Sequence, residues 1–285
     1  MSVSISKGLV RVGSSLARFV KSPNFSAFDG TKPKIAVIHF TYGGSALSSA
    51  QWFTRADVES PVSAHVVIDR DGTIIQCVSF EDRAWHAGKS SWRNRHGKHL
   101  SGLNNHSFGI ELANWGPLVK TVSGWKSHSG VPIADPVLAE HKNGNPSGAG
   151  GDIGWEPYPE AQVNAAAALV RALASTYGVD EIVGHDDIAP TRKWDPGPAF
   201  DMAAFRIAVF GGTRGADTDN VLTVSVDEGL NLRNGPGQHF ASQTLLPAGT
   251  RLRPEQRQGR WLYVTVLKEN GSPLSSGWVH EAYVA

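Results

Sequence analysis

The chain has 285 residues, room for one large domain and a small one at roughly 100–200 residues per domain. Hydrophobic residues make up 40% and charged residues 19%, the balance of a folded protein with a sizeable core. A formal net charge of +1 sets up no field to gather nucleic acid or an anionic membrane, and the single cysteine, Cys77, excludes an intramolecular disulfide.

The first residues, MSVSISKGLVRVGSSLARFVKSPNF, spread Lys7, Arg11, Arg18 and Lys21 through the apolar positions. A secretory signal needs an unbroken apolar stretch of about 7–15 residues, which is missing here. No run in the chain approaches the ~20 apolar residues of a transmembrane segment. Synthesis in the cytoplasm without a recognisable signal peptide is therefore the expected starting point. Leu9, Val10, Val12, Leu16, Phe19 and Val20 fit one or two amphipathic helical turns, so residues 1–20 are expected to cap the main domain or to fray as an arm.

Residues 34–41 (KIAVIHFT) are apolar and β-branched at strand length, which suggests a central strand buried on both faces. A short helix is expected from Ser48, as N-cap, to about Val58. Two apolar runs in 63–78 (SAHVVIDRDGTIIQCV) flank Arg70-Asp71-Gly72 and predict a hairpin. Residues 108–113 (FGIELA) read as another strand. Residues 115–155 are rich in Gly, Pro, Ser, Asn and His, and read as a long loop near a site. Val163, Ala166, Val170, Leu173 and Tyr177 recur at helical spacing between Pro159 and Gly178, predicting a helix over Glu160–Tyr177. A short strand at 181–184, a Pro-rich loop from His185 and a helix near 200–210 close the main domain, 21–210.

Residues 211–220 (GGTRGADTDN) read as a polar linker. Beyond them, strand-like pieces at 221–226, 230–233, 250–252, 261–266 and 277–280 alternate with turns, the texture of a small barrel over 221–285. The fold class is α/β: a mixed central sheet flanked by helices, followed by a small all-β module.

Three side chains in the main domain suit a metal. His39 lies at the end of an apolar strand, where an unpaired buried imidazole is costly. His185 follows a short strand, and Asp195 lies in a loop made rigid by prolines. Two imidazoles and a carboxylate leave the fourth tetrahedral position of zinc open, as hydrolysis requires. Taken singly, each has an ordinary reading: a core histidine for His39, a turn residue for Asp195 before Pro196.

The pieces IHFT (38–41), SAHVVIDRDGTIIQ (63–76), WHAG (85–88), SFGIELAN (107–114) and GHDDIAPTRKWDPG (184–197) occur in this order. Together they resemble the type 2 N-acetylmuramoyl-L-alanine amidases over roughly residues 20–210. That family includes phage endolysins, periplasmic amidases and cytoplasmic recycling amidases, and is related to peptidoglycan recognition proteins. The resemblance implies one zinc ion per catalytic domain on His39, His185 and Asp195, with Glu111 as general base and Lys193 assisting at the oxyanion. It implies peptidoglycan or muropeptides as partners and cleavage between the lactyl group of N-acetylmuramic acid and L-alanine. His65, His86 and Trp85 are the expected substrate-facing residues, though a core role for His65 and a packing role for Trp85 fit as well. His96, His99 and His106 sit among Arg93, Arg95 and Lys98, which would repel a cation, so they read as a basic loop.

The C-terminal pieces GLNLRNGPG (229–237), GRWLYV (259–264) and SGWVHEAYVA (276–285) resemble bacterial SH3-like domains, which often bind cell-wall peptide. With six Arg/Lys against five Asp/Glu, the region has no polyanion-binding character. A wall-binding module favours an endolysin-like enzyme, acting on intact wall after release or non-classical delivery. A cytoplasmic recycling amidase and a binding protein without activity are the alternatives.

Overall fold

A computed structural model describes residues 2–210, 221–269 and 271–285. At its centre the apolar run at 34–41 becomes the Ile35–Phe40 strand, with Ile35, Ala36, Val37 and Ile38 fully buried. The strand is continuous in apolar residues because both of its faces are covered. It lies between Glu181–Gly184 and Ser107–Leu112, parallel to both. The sheet continues through Val66–Ile68, parallel, and Ile74–Gln76, antiparallel, to the edge strand Arg18–Phe19. It is therefore mixed, with the hairpin predicted at 63–78 supplying its antiparallel pair.

The Glu160–Tyr177 helix forms over the predicted residues. Gly178 ends it in the left-handed conformation, φ 71°, and donates its N–H to Ala174 O at 3.0 Å. Ala165, Ala166, Leu169, Val170 and Leu173 are its buried stripe. Phe108, on the sheet, reaches the Tyr177 ring with centroids 5.3 Å apart. Gln162 ties the helix to the sheet by donating to Ile68 O and Ala113 O, both at 3.0 Å. On the opposite face Ile35, Val37 and Val183 pack with Leu100, Leu103 and Ile188.

Several expectations are corrected. The N-terminal segment is neither helix nor arm. Val3–Ser6, Leu9–Val12 and Ser15–Leu16 form an antiparallel sheet, and Arg18–Phe19 joins the main one. Lys7 and Gly8 both take positive φ, the two-residue turn that suits strand twist. Gln76 locks this segment down, accepting from Val10 N at 2.9 Å and donating to Gly8 O at 2.7 Å. The helix expected from Ser48 spans Ala46–Trp52, capped by Ser45, whose Oγ accepts from Ser48 N at 3.2 Å. Beyond it, Thr54 and Arg55 fold back on the carbonyls of Gln51 and Trp52 and stop the helix before residue 58. The long loop at 115–155 carries short antiparallel pairs, Val119–Thr121 with Gly124–Lys126 and Val137–Ala139 with Ile153–Trp155. His185 starts a one-turn helix, His185–Ile188, and the last helix of this region is Met202–Phe210.

The chain forms two compact units, Met1–Phe205 and Arg206–Ala285. The polar linker expected over 211–220 lies outside the described residues. The second unit holds one six-stranded sheet built around buried Leu232, Leu252, Val264 and Val279. Its Ser242–Leu246 strand has no counterpart among the predicted pieces, since SQTLL carries little apolar alternation.

Phe108 is fully buried among Phe28, Phe80, His65 and Tyr177. Phe108→Ala is expected to destabilise the first unit by about 3–5 kcal/mol, through lost burial and a residual cavity. Urea unfolding of the two proteins measures this.

Candidate metal centre and active site

Strand register brings the candidate residues together. Glu111 pairs with His39 across the parallel strands, and Gly184 pairs with Ile38, which puts His185 one step further along, level with His39. His39, Glu111 and His185 thus share one transverse row at the carboxyl ends of three adjacent parallel strands, where open α/β sheets commonly bind ligands. Asp195 arrives from the loop, whose carbonyl accepts from Asp186 N at 2.8 Å. Gly184 permits this approach: a Cβ there would lie 2.8 Å from Pro196 Cδ and closer still to the Asp186 carboxylate.

The three candidate ligands are buried, and their ligand atoms lie within 4.8 Å of one another. His39 Nδ1 and His185 Nδ1 are 2.9 Å apart; Asp195 Oδ2 is 2.8 Å from the first and 2.9 Å from the second. The other nitrogen of His185, Nε2, faces Ala87 O at 3.2 Å. A carbonyl only accepts, so Nε2 carries the proton and Nδ1 presents a lone pair. Burial, followed by the neighbouring His185, pushes His39 down to about 4, so the His39 ring is neutral. Lone pairs and a carboxylate oxygen aimed at one buried point suit a cation, and two nitrogens with one oxygen suit zinc with an open position.

Glu111 and Lys193 join the three candidate ligands in lining a cleft of about 510 Å³. Glu111 Oε2 is buried and makes no hydrogen bond. Burial, reinforced by the Asp195 carboxylate, raises the Glu111 carboxyl well above its usual range, against the opposing effect of Lys193. A carboxyl poised upward in a cleft beside a cation site is suited to take and return a proton.

A profile of the N-acetylmuramoyl-L-alanine amidase family matches residues 29–198, a span that contains every residue of this row and its loop. The chain belongs to that family. It is 32% identical over 211 residues to the 1,6-anhydro-N-acetylmuramyl-L-alanine amidase AmpD of Escherichia coli K12, covering 68% of this chain and 92% of that protein. It is 31% identical over 172 residues to the N-acetylmuramoyl-L-alanine amidase AmiD of the same strain, covering 59% of this chain and 50% of AmiD. The solved structure of a selenomethionine derivative of AmpD superposes with a TM-score of 0.50 at 29% identity, over 72% of this chain and 98% of that one.

Within this amidase the expected substrate-facing residues separate. His86 does line the cleft, with Nδ1 3.0 Å from His39 Nε2. His65 does not. It is fully buried, donates from Nε2 to Asp82 O at 3.0 Å, and accepts from Gly109 N at Nδ1, also at 3.0 Å. With both ring nitrogens committed to backbone, it is a core histidine stacked on Phe80. Trp85 is absent from the cleft lining too; its Nε1 donates to Ser26 Oγ at 3.1 Å. Trp52 and Trp194 line the cleft instead. The basic loop meets acid from its own fold: His96 lies 3.3 Å from Asp180 Oδ2, and Trp92 Nε1 donates to Glu181 Oε1 at 2.7 Å.

The 115–155 segment forms one wall of the cleft through Pro117 and Pro146. It is clamped beside His185: His141 Nε2 lies 3.1 Å and Lys142 Nζ 3.0 Å from the Asp186 carboxylate, and Asn143 donates to Asp186 O at 2.8 Å. His141 carries no sign of this in the sequence, because its partner is 45 residues away.

Burial lowers His65 from 6.5 to about 4 in the fold. The neutral ring is the native one, so its stabilisation is complete above pH 6.5 and is lost as pH falls toward 4, by up to about 3 kcal/mol. The stability of the wild type relative to His65→Gln is expected to fall across that window. A difference that stays constant with pH contradicts the assignment.

Proposed function

We propose that this amidase cleaves the amide between the lactyl carboxyl of 1,6-anhydro-N-acetylmuramic acid and L-alanine in small muropeptides, with one zinc ion held by His39, His185 and Asp195. The observation that carries the chemistry is the shared row of His39, Glu111 and His185 with Asp195 closing it. Zinc at such a site supplies Lewis-acid polarisation and lowers the pKa of water. Glu111 accepts the proton of the attacking water and returns it to the departing amine. Lys193, on the cleft wall, offsets negative charge that develops on the carbonyl oxygen. The C–O bond to water forms, the C–N bond breaks, and the products are a free lactyl acid and a peptide with an L-alanine amine.

The small substrate is supported by the likeness to AmpD, a 1,6-anhydro-N-acetylmuramyl-L-alanine amidase whose length this chain covers almost entirely. The sequence alone favoured the intact wall, because of the C-terminal module. A soluble muropeptide needs neither a wall anchor nor release to the wall. One feature favours intact wall as a second reading. The C-terminal sheet holds a cleft of about 310 Å³ lined by Leu230, Arg233, Trp261, His280 and Tyr283, which suits an SH3-like module that grips wall peptide.

Digestion of anhydromuropeptide and of purified peptidoglycan, with and without a chelator, tests both readings by mass spectrometry. Chelator-sensitive release of a peptide with a free L-alanine amine, faster from anhydromuropeptide, is expected; release from peptidoglycan alone overturns the small-substrate reading. Glu111→Gln is expected to retain zinc and lose about 10²–10⁴-fold in kcat. Lys193→Met is expected to lose about 10²–10³-fold. Steady-state kinetics with zinc quantified in each sample checks both.

A further inference from the structure

We propose that His86 and Ser107 are positioning residues for His39, fixing the tautomer in which His39 Nδ1 is a bare lone pair aimed at the metal point. The proposal rests on the zinc reading of His39, His185 and Asp195.

The argument starts at a group whose role is fixed. Leu103 O is a carbonyl and only accepts, and Ser107 Oγ donates to it at 2.6 Å. The one hydroxyl proton is spent there, so toward the other side Ser107 Oγ accepts. What faces it is His86 Nε2, at 3.3 Å, which must carry a proton. His86 is buried, and its ring nitrogens face a hydroxyl and a second imidazole, so it is neutral with that single N–H. Its Nδ1 is then an acceptor, and His39 Nε2, 3.0 Å away, donates to it. His39 is left with an unprotonated Nδ1, the atom that faces His185 Nδ1 and Asp195 Oδ2. Ligating histidines generally depend on such a partner at the second nitrogen.

The strand that carries Glu111 is built to seat this relay. Ser107, Gly109 and Glu111 alternate onto one face, level with Ile35, Val37 and His39 of the neighbouring strand. A Cβ at Gly109 would lie 2.4 Å from His86 Cγ and 2.8 Å from His86 Cβ. Glycine at 109 therefore leaves the space that the His86 ring fills. One strand face supplies the anchor (Ser107), the seat (Gly109) and the proton carrier (Glu111).

The test is zinc affinity by chelator competition on the full-length protein, with His39→Ala, His86→Leu, His86→Asn, Ser107→Ala and Gly109→Ala. His86→Leu is expected to weaken zinc about 10–100-fold. His86→Asn, whose Oδ1 can accept from His39 Nε2, is expected to recover most of that loss; Ser107→Ala and Gly109→Ala are expected to weaken binding less than His86→Leu does. Independently of any variant, long-range ¹H–¹⁵N correlation spectra of the zinc-loaded wild type should show His39 protonated at Nε2. A proton on Nδ1 of His39, or zinc affinity within twofold of wild type in both His86→Leu and Ser107→Ala, overturns the relay. If instead His39→Ala binds zinc as tightly as wild type, the zinc reading itself fails and the relay falls with it.

Discussion

Three acceptor atoms that share one buried point are the constraint on which this structure turns. His39 Nδ1, His185 Nδ1 and Asp195 Oδ2 sit within 3 Å of one another at their respective contacts, in a region the sheet otherwise fills with apolar side chains. Such a cluster repels itself unless a cation occupies the centre, so the fold must spend packing energy to hold it. That holding power comes from the strands: Ile35–Phe40 and Glu181–Gly184 are parallel neighbours whose register delivers the two histidines side by side.

The surroundings show how closely the backbone is cut to this purpose. Gly184 lets the Asp195 loop lie against the strand end, where any larger residue would collide with Pro196 and Asp186. Asp186, next to His185, is gripped from the other side by His141 and Lys142, so the wall of the cleft and the candidate ligand share one buried network. Removing one partner of a buried charged network leaves the other uncompensated, which makes such networks effective at fixing position even where their net contribution to stability is small.

Much of this was legible in the sequence. The long helix, the central strand and the hairpin carry strong periodicity or turn chemistry, and they form where predicted. The candidate metal trio is named through the resemblance of the surrounding pieces to a known family; spacing alone, with 146 residues between the histidines, could not bring them together. The N-terminal segment departs from the expected helical turns because Leu9, Val10, Val12 and Leu16 suit a helix while Val3, Ile5, Val10 and Val12 alternate at a two-residue period, and the Lys7-Gly8 turn pairs the latter as strands. Ser45 and Ser48 are chemically equal as caps, and only the helix start distinguishes them. His65 and His86 looked alike as histidines near strands, yet one has both nitrogens bound by backbone and the other faces the cleft. The expectation of intact wall rests on the likeness of the C-terminal pieces to SH3-like domains, which carries no information on the size of molecule the catalytic cleft accepts.

Zinc K-edge X-ray absorption on the full-length protein with one equivalent of zinc tests the central claim most directly. The account predicts two imidazole nitrogens at about 2.0–2.1 Å and a carboxylate oxygen at about 2.0–2.2 Å, with one imidazole lost in His39→Ala. A zinc ion bound through sulfur, or one whose imidazole shell is the same in wild type and His39→Ala, would contradict it.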